Sequence, residues 1–411
     1  MRTLTRRRLI QGSSLLAVSA LLSACGKGEE EKIKPEEFWK TPGSPTKEYY
    51  GFIDESGSWA IPPQFSEPSY FSEDGMAPVL LRRYIEEQSK ACVYSGIIDT
   101  SGGWVKEPEY RLEVDDGFSE GLIGTIVRKS PGYQSADDMG GYMDASGEWV
   151  IGPTIQVGEE GWLDYFHEAD SFIGELHTAV RVLTDKEAKE YRCGVINQEG
   201  SFIIEGKFGK IILGSGPLVV ARDISDGDES LYGFIDNTGN WVISPTFKFA
   251  DTFMGEYACV VDAETGLVGL ITQDGQWAIP PKYKDINPID ATRALARDPQ
   301  SKLVGVLDLS QGSWILGPRW YDAWTESGHT YVMATTEENG PVGIYAMDTG
   351  ETVLEPAYKD LMYGSRLIAA QELGSGLWGY IDIGGTWVIE PVYRNTWGFS
   401  SNGLASAQEA I

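Results

Sequence analysis

From Gly51 onward, short apolar runs alternate with short polar ones at a scale that suits strands, and the alternation itself recurs. Its clearest copy, residues 232–247, reads Tyr-Gly-Phe-Ile-Asp-Asn-Thr-Gly-Asn-Trp-Val-Ile-Ser-Pro-Thr-Phe. Two runs rich in β-branched and aromatic residues flank a polar Asp-x-x-Gly, which predicts two antiparallel strands joined by a tight turn. The glycines opening the first strand are Gly51, Gly96, Gly141, Gly194, Gly233, Gly269, Gly305, Gly343 and Gly379. They mark nine repeats spaced 36 to 53 residues apart, the shortest spacing defining the repeat and the longer ones carrying insertions.

Within a repeat each position has its own chemistry. Asp54, Asp99, Asp144, Asp236, Asp308 and Asp382, with Asn197 once, precede the turn; Gly57, Gly102, Gly147, Gly200, Gly239 and Gly385 follow three residues later. The carboxylate can accept the turn's N–H groups, and the glycine can take the left-handed conformation of a bulged hairpin. Trp59, Trp104, Trp149, Trp241, Trp277 and Trp387, with Phe202 in the fourth repeat, stand two residues further on, and their period predicts rings filling the space between neighbouring repeats. Pro63, Pro108, Pro153, Pro245, Pro281 and Pro391 are expected to end the second strand, because proline cannot donate to a ladder. The turns of the seventh and eighth repeats are one residue longer, ending at Gly312 and Gly350.

A further apolar run precedes each new repeat, giving at least three strands apiece, and a last one at 404–407 has no repeat after it. That run can complete the first repeat and close a ring, or simply cap an open array. The fold class is therefore all-β: about nine antiparallel hairpin or three-stranded repeats over residues 49–411, either β-propeller-like or an open curved superhelix.

The motif Gly-Phe-Ile-Asp-x-x-Gly-x-Trp-Val-Ile-x-Pro-x-Phe resembles the bacterial WG-type repeat, although the Trp-Gly pair of that name survives here only as Trp378-Gly379. The resemblance implies a repeat-built, often exported bacterial protein and brings no common catalytic residues.

Residues 1–24 have the grammar of a targeting segment. Arg2, Arg6, Arg7 and Arg8 give a basic start, and the apolar run at 15–22 is too short to span a membrane. Leu22-Ser23-Ala24-Cys25 resembles a bacterial lipobox, which implies cleavage before Cys25 and lipid on its thiol and new amino group. Thr5-Arg6-Arg7-Arg8-Leu9-Ile10 fits either a twin-arginine export signal or a plain basic start. Residues 25–48, rich in Lys, Glu and Pro, form an expected tether spanning on the order of 25 Å.

Charge narrows the partners. The full chain carries a formal charge of -28, and without the four early arginines 29 basic residues face 61 acidic ones. Such a balance argues against nucleic acid or anionic lipid as a partner. Cys92, Cys193 and Cys259 remain, an odd number that suits buried apolar roles more than a disulfide scaffold.

Candidate chemistry is sparse. His167, His177 and His329 lack metal-ligand spacing, and no phosphate loop, nucleophile elbow or Cys-x-x-Cys is present. Asp223, Asp226, Asp228 and Glu229 resemble part of a calcium loop, but the glycine and the final glutamate are misplaced. No metal, cofactor or catalytic residue is assigned. The insertion at 158–192 holds Trp162, Tyr165 and Phe166, with residues 184–191 as a candidate helix capped by Thr184 or Asp185.

These features lead to an expectation of a non-enzymatic, membrane-anchored binding or scaffold protein on the extracytoplasmic face of a bacterial membrane. Its ligand would be a protein, peptide or glycan. Two alternatives stand beside it: a carbohydrate-active enzyme with carboxylates gathered at the centre of the array, and a purely architectural envelope protein.

Overall fold

The computed structural model describes residues 49–67, 69–85, 90–110, 112–114, 121–127, 139–151, 156–157, 161–164, 177–185, 190–197, 199–214, 216–224, 230–325 and 328–410. The segments read as a signal and a tether, Cys25 among them, lie outside these residues. Among the described residues every regular element is a β-strand, and none forms a helix long and apolar enough to cross a membrane. The chain is thus an all-β tandem array of antiparallel repeats. Two compact bodies divide it, one from Phe172 to Lys359 and one comprising the residues up to Ser171 together with Asp360 onward.

The fifth repeat, in the first of these bodies, shows how each is made. Its glycine strand, Tyr232–Ile235, pairs antiparallel with Val219–Arg222 on one side and Trp241–Ala250 on the other. Val219–Arg222 pairs in turn with Lys210–Ile212. The result is a four-stranded meander of the kind found in a propeller blade. The sequence showed three of these strands; the fourth is the tail of the preceding repeat's tryptophan strand. Trp241–Ala250 makes the sharing plain, because its front half pairs within its own repeat while Phe249 and Ala250 pair with Val261 and Val260 of the next.

A bulge inside the tryptophan strand corrects the expectation for proline. Tyr232 lies opposite Phe247 and Phe234 opposite Ile243, so four residues on one strand match two on its partner. The strand does not end at Pro245; it arches there, where a missing N–H costs no ladder bond. The arch lies directly over Gly233. A Cβ added at Gly233 would stand 2.4 Å from the Ile243 carbonyl oxygen and 2.8 Å from the Pro245 nitrogen. Gly51 sits equally close beneath Ile61 and Pro63.

Both faces of the glycine strand are buried: Phe234, Ile235, Tyr380, Ile381, Val306 and Leu307 are all fully enclosed. Such strands read as continuous apolar runs, and each fully buried side chain of this size contributes about 1.5–3 kcal/mol. Alanines such as Ala221, Ala296 and Ala370 on the adjoining strands let neighbouring layers approach.

In the other body, the last run completes the first repeat. Leu404–Glu409 pairs with Tyr50–Asp54, from Tyr50 opposite Gln408 to Asp54 opposite Leu404, and its other edge pairs with the end of Trp387–Thr396. The Tyr393 hydroxyl donates to the Gly57 carbonyl at 3.0 Å, and the Asn395 amide donates to the Tyr50 hydroxyl at 3.2 Å.

The candidate helix at 184–191 is corrected at its described residues, since 184–185 and 190–191 lie in strands. His177–Asp185 and Glu190–Asn197 are paired strands, with Asp185 opposite Glu190. Strand pairing that extends outward from the repeat overrides the local helical preference of this charged stretch.

Candidate binding surface

The repeated aspartates are turn residues. Asp236 Oδ1 accepts the N–H of Thr238 at 2.8 Å, the N–H of Asn240 at 2.9 Å and the Thr238 hydroxyl at 2.7 Å. Asp54, Asp99, Asp144 and Asp308 do the same with their own serines, and Asn197 accepts from Ser201. The hydroxyl and N–H donors hold all these carboxyls below their ordinary range, Asp236 down to about 2. Gly239 closes the turn at φ 80° with its N–H on the Asp236 carbonyl, and in the longer turns Gly312 and Gly350 reach back one residue further. These aspartates are committed to local structure.

Each described tryptophan contact joins two repeats. Trp241 meets Phe208 edge-on at 5.4 Å, Trp277 meets Phe247 at 5.9 Å and Trp314 meets Tyr283 at 5.4 Å. Trp59 of the first repeat meets Tyr393 of the ninth at 6.0 Å. The rings do bridge neighbours, yet they are not interior: Trp241 is 36% exposed and Trp277 39%. They sit on the outermost strand of each meander, where one ring face packs and part of the other meets solvent.

That strand also presents a regular outer face. Alternate residues of an extended chain point the same way, and the two-residue bulge preserves the alternation. In the fifth repeat Val242, Ser244, Thr246 and Lys248 are all exposed while Phe247 is buried. The position after the tryptophan is apolar and exposed in turn at Val150, Val242, Ile315 and Val388.

A second cluster lies in the same body, away from the turns. Asp285 is half-buried, and desolvation pushes its carboxyl up while the Arg297 guanidinium opposes the shift. Arg297 donates to Asp322 at 2.8 Å and to the carbonyls of Tyr321 and Lys302 at 2.8 and 2.7 Å. Burial drives the Cys259 thiol well up, with the Asp251 and Asp285 carboxylates adding to the effect. Nothing in the local sequence marks this group, which only the folding of successive edge strands brings together.

Cys259 is buried as expected and Cys193 half-buried, while the side chain of Cys92 lies outside the described residues. So do His167, the side chains of His177 and Trp162, and Tyr165, Phe166, Asp226, Asp228 and Glu229. His329 is half-buried, and among the described residues no three of His, Cys, Asp and Glu gather as a metal site.

Four stretches of the chain, residues 50–82, 232–262, 269–291 and 378–409, match the WG containing repeat and support a WG-repeat protein. No curated protein matches the chain. Among solved structures, it is similar to dipeptidyl peptidase 4 of Porphyromonas gingivalis at 8% identity and TM-score 0.48, over 85% of this chain and 60% of that one. A puromycin-hydrolyzing peptidase of Mycobacterium tuberculosis is similar at 11% identity and TM-score 0.33, over 80% of this chain and 61% of that one. Apo AztD of Citrobacter koseri is similar at 10% identity and TM-score 0.33, over 77% and 96%. The chain thus spans about three fifths of the length of the two peptidases. The expectation that it is not an enzyme is corrected here, since peptidases stand among its structural likenesses. At these identities and TM-scores the likeness transfers no residue and no activity.

Proposed function

We propose that the protein is exported, carries lipid on Cys25 at the extracytoplasmic face of a bacterial cell membrane, and binds a protein, peptide or glycan of the envelope along its outermost strands. The observation that carries the binding role is the recurring exposed face, with Val150, Val242, Ile315 and Val388 exposed at the position after the tryptophan and Trp241 and Trp277 partly exposed. Scattered exposed apolar residues are ordinary on a soluble protein; here they return at one position of the third, fifth, seventh and ninth repeats. The basic start, the short apolar run and Leu22-Ser23-Ala24-Cys25 support the anchor, and the tether at 25–48 supports reach away from the membrane.

Mass spectrometry of the mature N-terminus tests the anchor: acyl mass on Cys25 is expected, with release of the protein from membranes in Cys25→Ala. An unmodified terminus elsewhere overturns it. Quenching of tryptophan fluorescence by a panel of envelope glycans and peptides tests the binding role, because Trp241 and Trp277 border the proposed surface.

A carbohydrate-active enzyme is the second reading, supported by Asp285, a carboxyl whose pKa desolvation raises, beside the Arg297-held carboxylate of Asp322. Glycan cleavage that is lost in Asp285→Asn would favour it over simple binding.

A further inference from the structure

The outer face carries a charge pattern opposite to that of the whole chain. In the body from Phe172 to Lys359, Lys207, Lys282 and Arg319 stand immediately before the buried rings Phe208, Tyr283 and Trp320, and Lys248, Lys284 and Lys359 immediately after Phe247, Tyr283 and Tyr358. All six are exposed, on the same alternating face as Val242 and Ile315. Each ring marks the point where the chain passes from one repeat to the next, so the cations recur with the repeats.

Among the described residues these cations make no ion pair, in a protein with 61 acidic residues and 33 basic ones. Three arginines elsewhere behave differently: Arg293 pairs with Asp290 and Asp348, Arg297 with Asp322, and Arg366 with Glu55. Lys207, Lys282 and Arg319 instead lean over their neighbouring rings at 5.3, 5.2 and 5.9 Å, and the Lys282 ammonium donates to the Gly312 carbonyl at 3.4 Å. Two carboxylates share the face, Glu205 and Glu355, both nearer the turns than the cations of their own strands.

We infer that this face binds an acidic polysaccharide, a linear glycan bearing carboxylates or phosphodiesters. A cation beside the ring in successive repeats, before it in some and after it in others, matches a ligand whose charge also repeats. Val242 and Ile315, interspersed among the cations on this face, offer apolar surface to sugar rings. The inference rests on the binding role proposed above and names its ligand class.

Polygalacturonate of about twenty sugars is the probe, titrated into the full-length protein in neutral detergent, with dextran as the uncharged counterpart. The wild type should bind polygalacturonate with affinity that falls as salt rises, because exposed charges are screened beyond about 8 Å at physiological ionic strength. Lys248→Gln/Lys282→Gln/Lys284→Gln/Arg319→Gln should weaken binding by about tenfold or more, as removal of steering and contact charge does. Glu205→Gln/Glu355→Gln should tighten it, which guards against a quadruple variant that merely misfolds. Equal binding by wild type and both variants overturns the assignment, as does binding that ignores salt. If only dextran or a peptide binds, the ligand class falls and the binding role stands; if nothing in the panel binds, both fall. Retention on phosphatidylglycerol vesicles without polygalacturonate binding assigns the face to a lipid surface and refutes the proposal. Lysines that serve only to keep edge strands apart would leave polygalacturonate binding absent and make the quadruple variant self-associate.

Discussion

Gly233 is the most exacting position in the fifth repeat, and replacing it with alanine tests the bulge directly. The added Cβ would meet the Ile243 carbonyl oxygen at 2.4 Å and the Ser244 carbonyl carbon and Pro245 nitrogen at 2.8 Å. All three are backbone atoms of an arched strand, so no rotamer change relieves the contact. Forcing one extra carbon into a filled space costs about 1–3 kcal/mol. Removing a glycine from the unfolded chain returns about 0.4–1 kcal/mol. The net expectation is a loss of roughly 1–2 kcal/mol by those two ranges. Gly317→Ala is the matched control, since a Cβ there meets nothing within 4 Å. It should leave stability unchanged or raise it by up to about 1 kcal/mol. Urea unfolding of the two variants, followed by tryptophan fluorescence, separates the cases. Equal midpoints for Gly233→Ala and wild type, or a Gly317→Ala variant as weak as Gly233→Ala, would refute the account of why this glycine recurs.

Three other outcomes are expected. Trp320→Ala, at a ring 1% exposed, should cost about 3–5 kcal/mol in urea unfolding, whereas Trp277→Ala, at a ring 39% exposed, should cost about half as much. Asp236 has a folded pKa held down to about 2, so its contribution is present above the unfolded value of 3.8 and is lost as pH falls from about 4 to 2; stability of Asp236→Ala should depend less on pH across that window. Asp285 runs the other way: its raised pKa favours folding at acid pH and the advantage fades as pH rises through the folded value, so Asp285→Asn should be more stable than wild type near neutrality and should gain less from acidification.

Much of the repeat was legible because turn chemistry and strand period are local. Asp236, Gly239 and the apolar runs each state their role within a few residues, and Leu404–Glu409 announced itself as a surplus strand. Proline was misread because a proline that ends a strand and one that arches it look alike in sequence; only the register between Tyr232 and Phe247 distinguishes them. Residues 184–191 have a charged, helix-compatible composition, and pairing of Asp185 with Glu190 decides otherwise. The tryptophans were placed correctly between repeats but too deep, since periodicity reveals a shared environment and not its distance from solvent. The cationic face was hidden for two reasons. Net charge averages over position, and alternation alone does not say which side of the strand that carries Lys248 is the outer one. Asp285, Cys259 and Arg297 come from different strands, so no window of sequence contains the group.

Covering of the outermost strands in the living envelope is the central claim, and hydroxyl-radical footprinting tests it most directly. Trp241 and Trp277 are exposed enough to be oxidised in the isolated protein. Labelled in intact cells and again after purification, both should be protected in the envelope and become reactive once the protein is extracted, while Tyr70, 50% exposed outside these strands, should react in both states. Equal oxidation of Trp241 and Trp277 in cells and in solution would contradict a binding role for this surface.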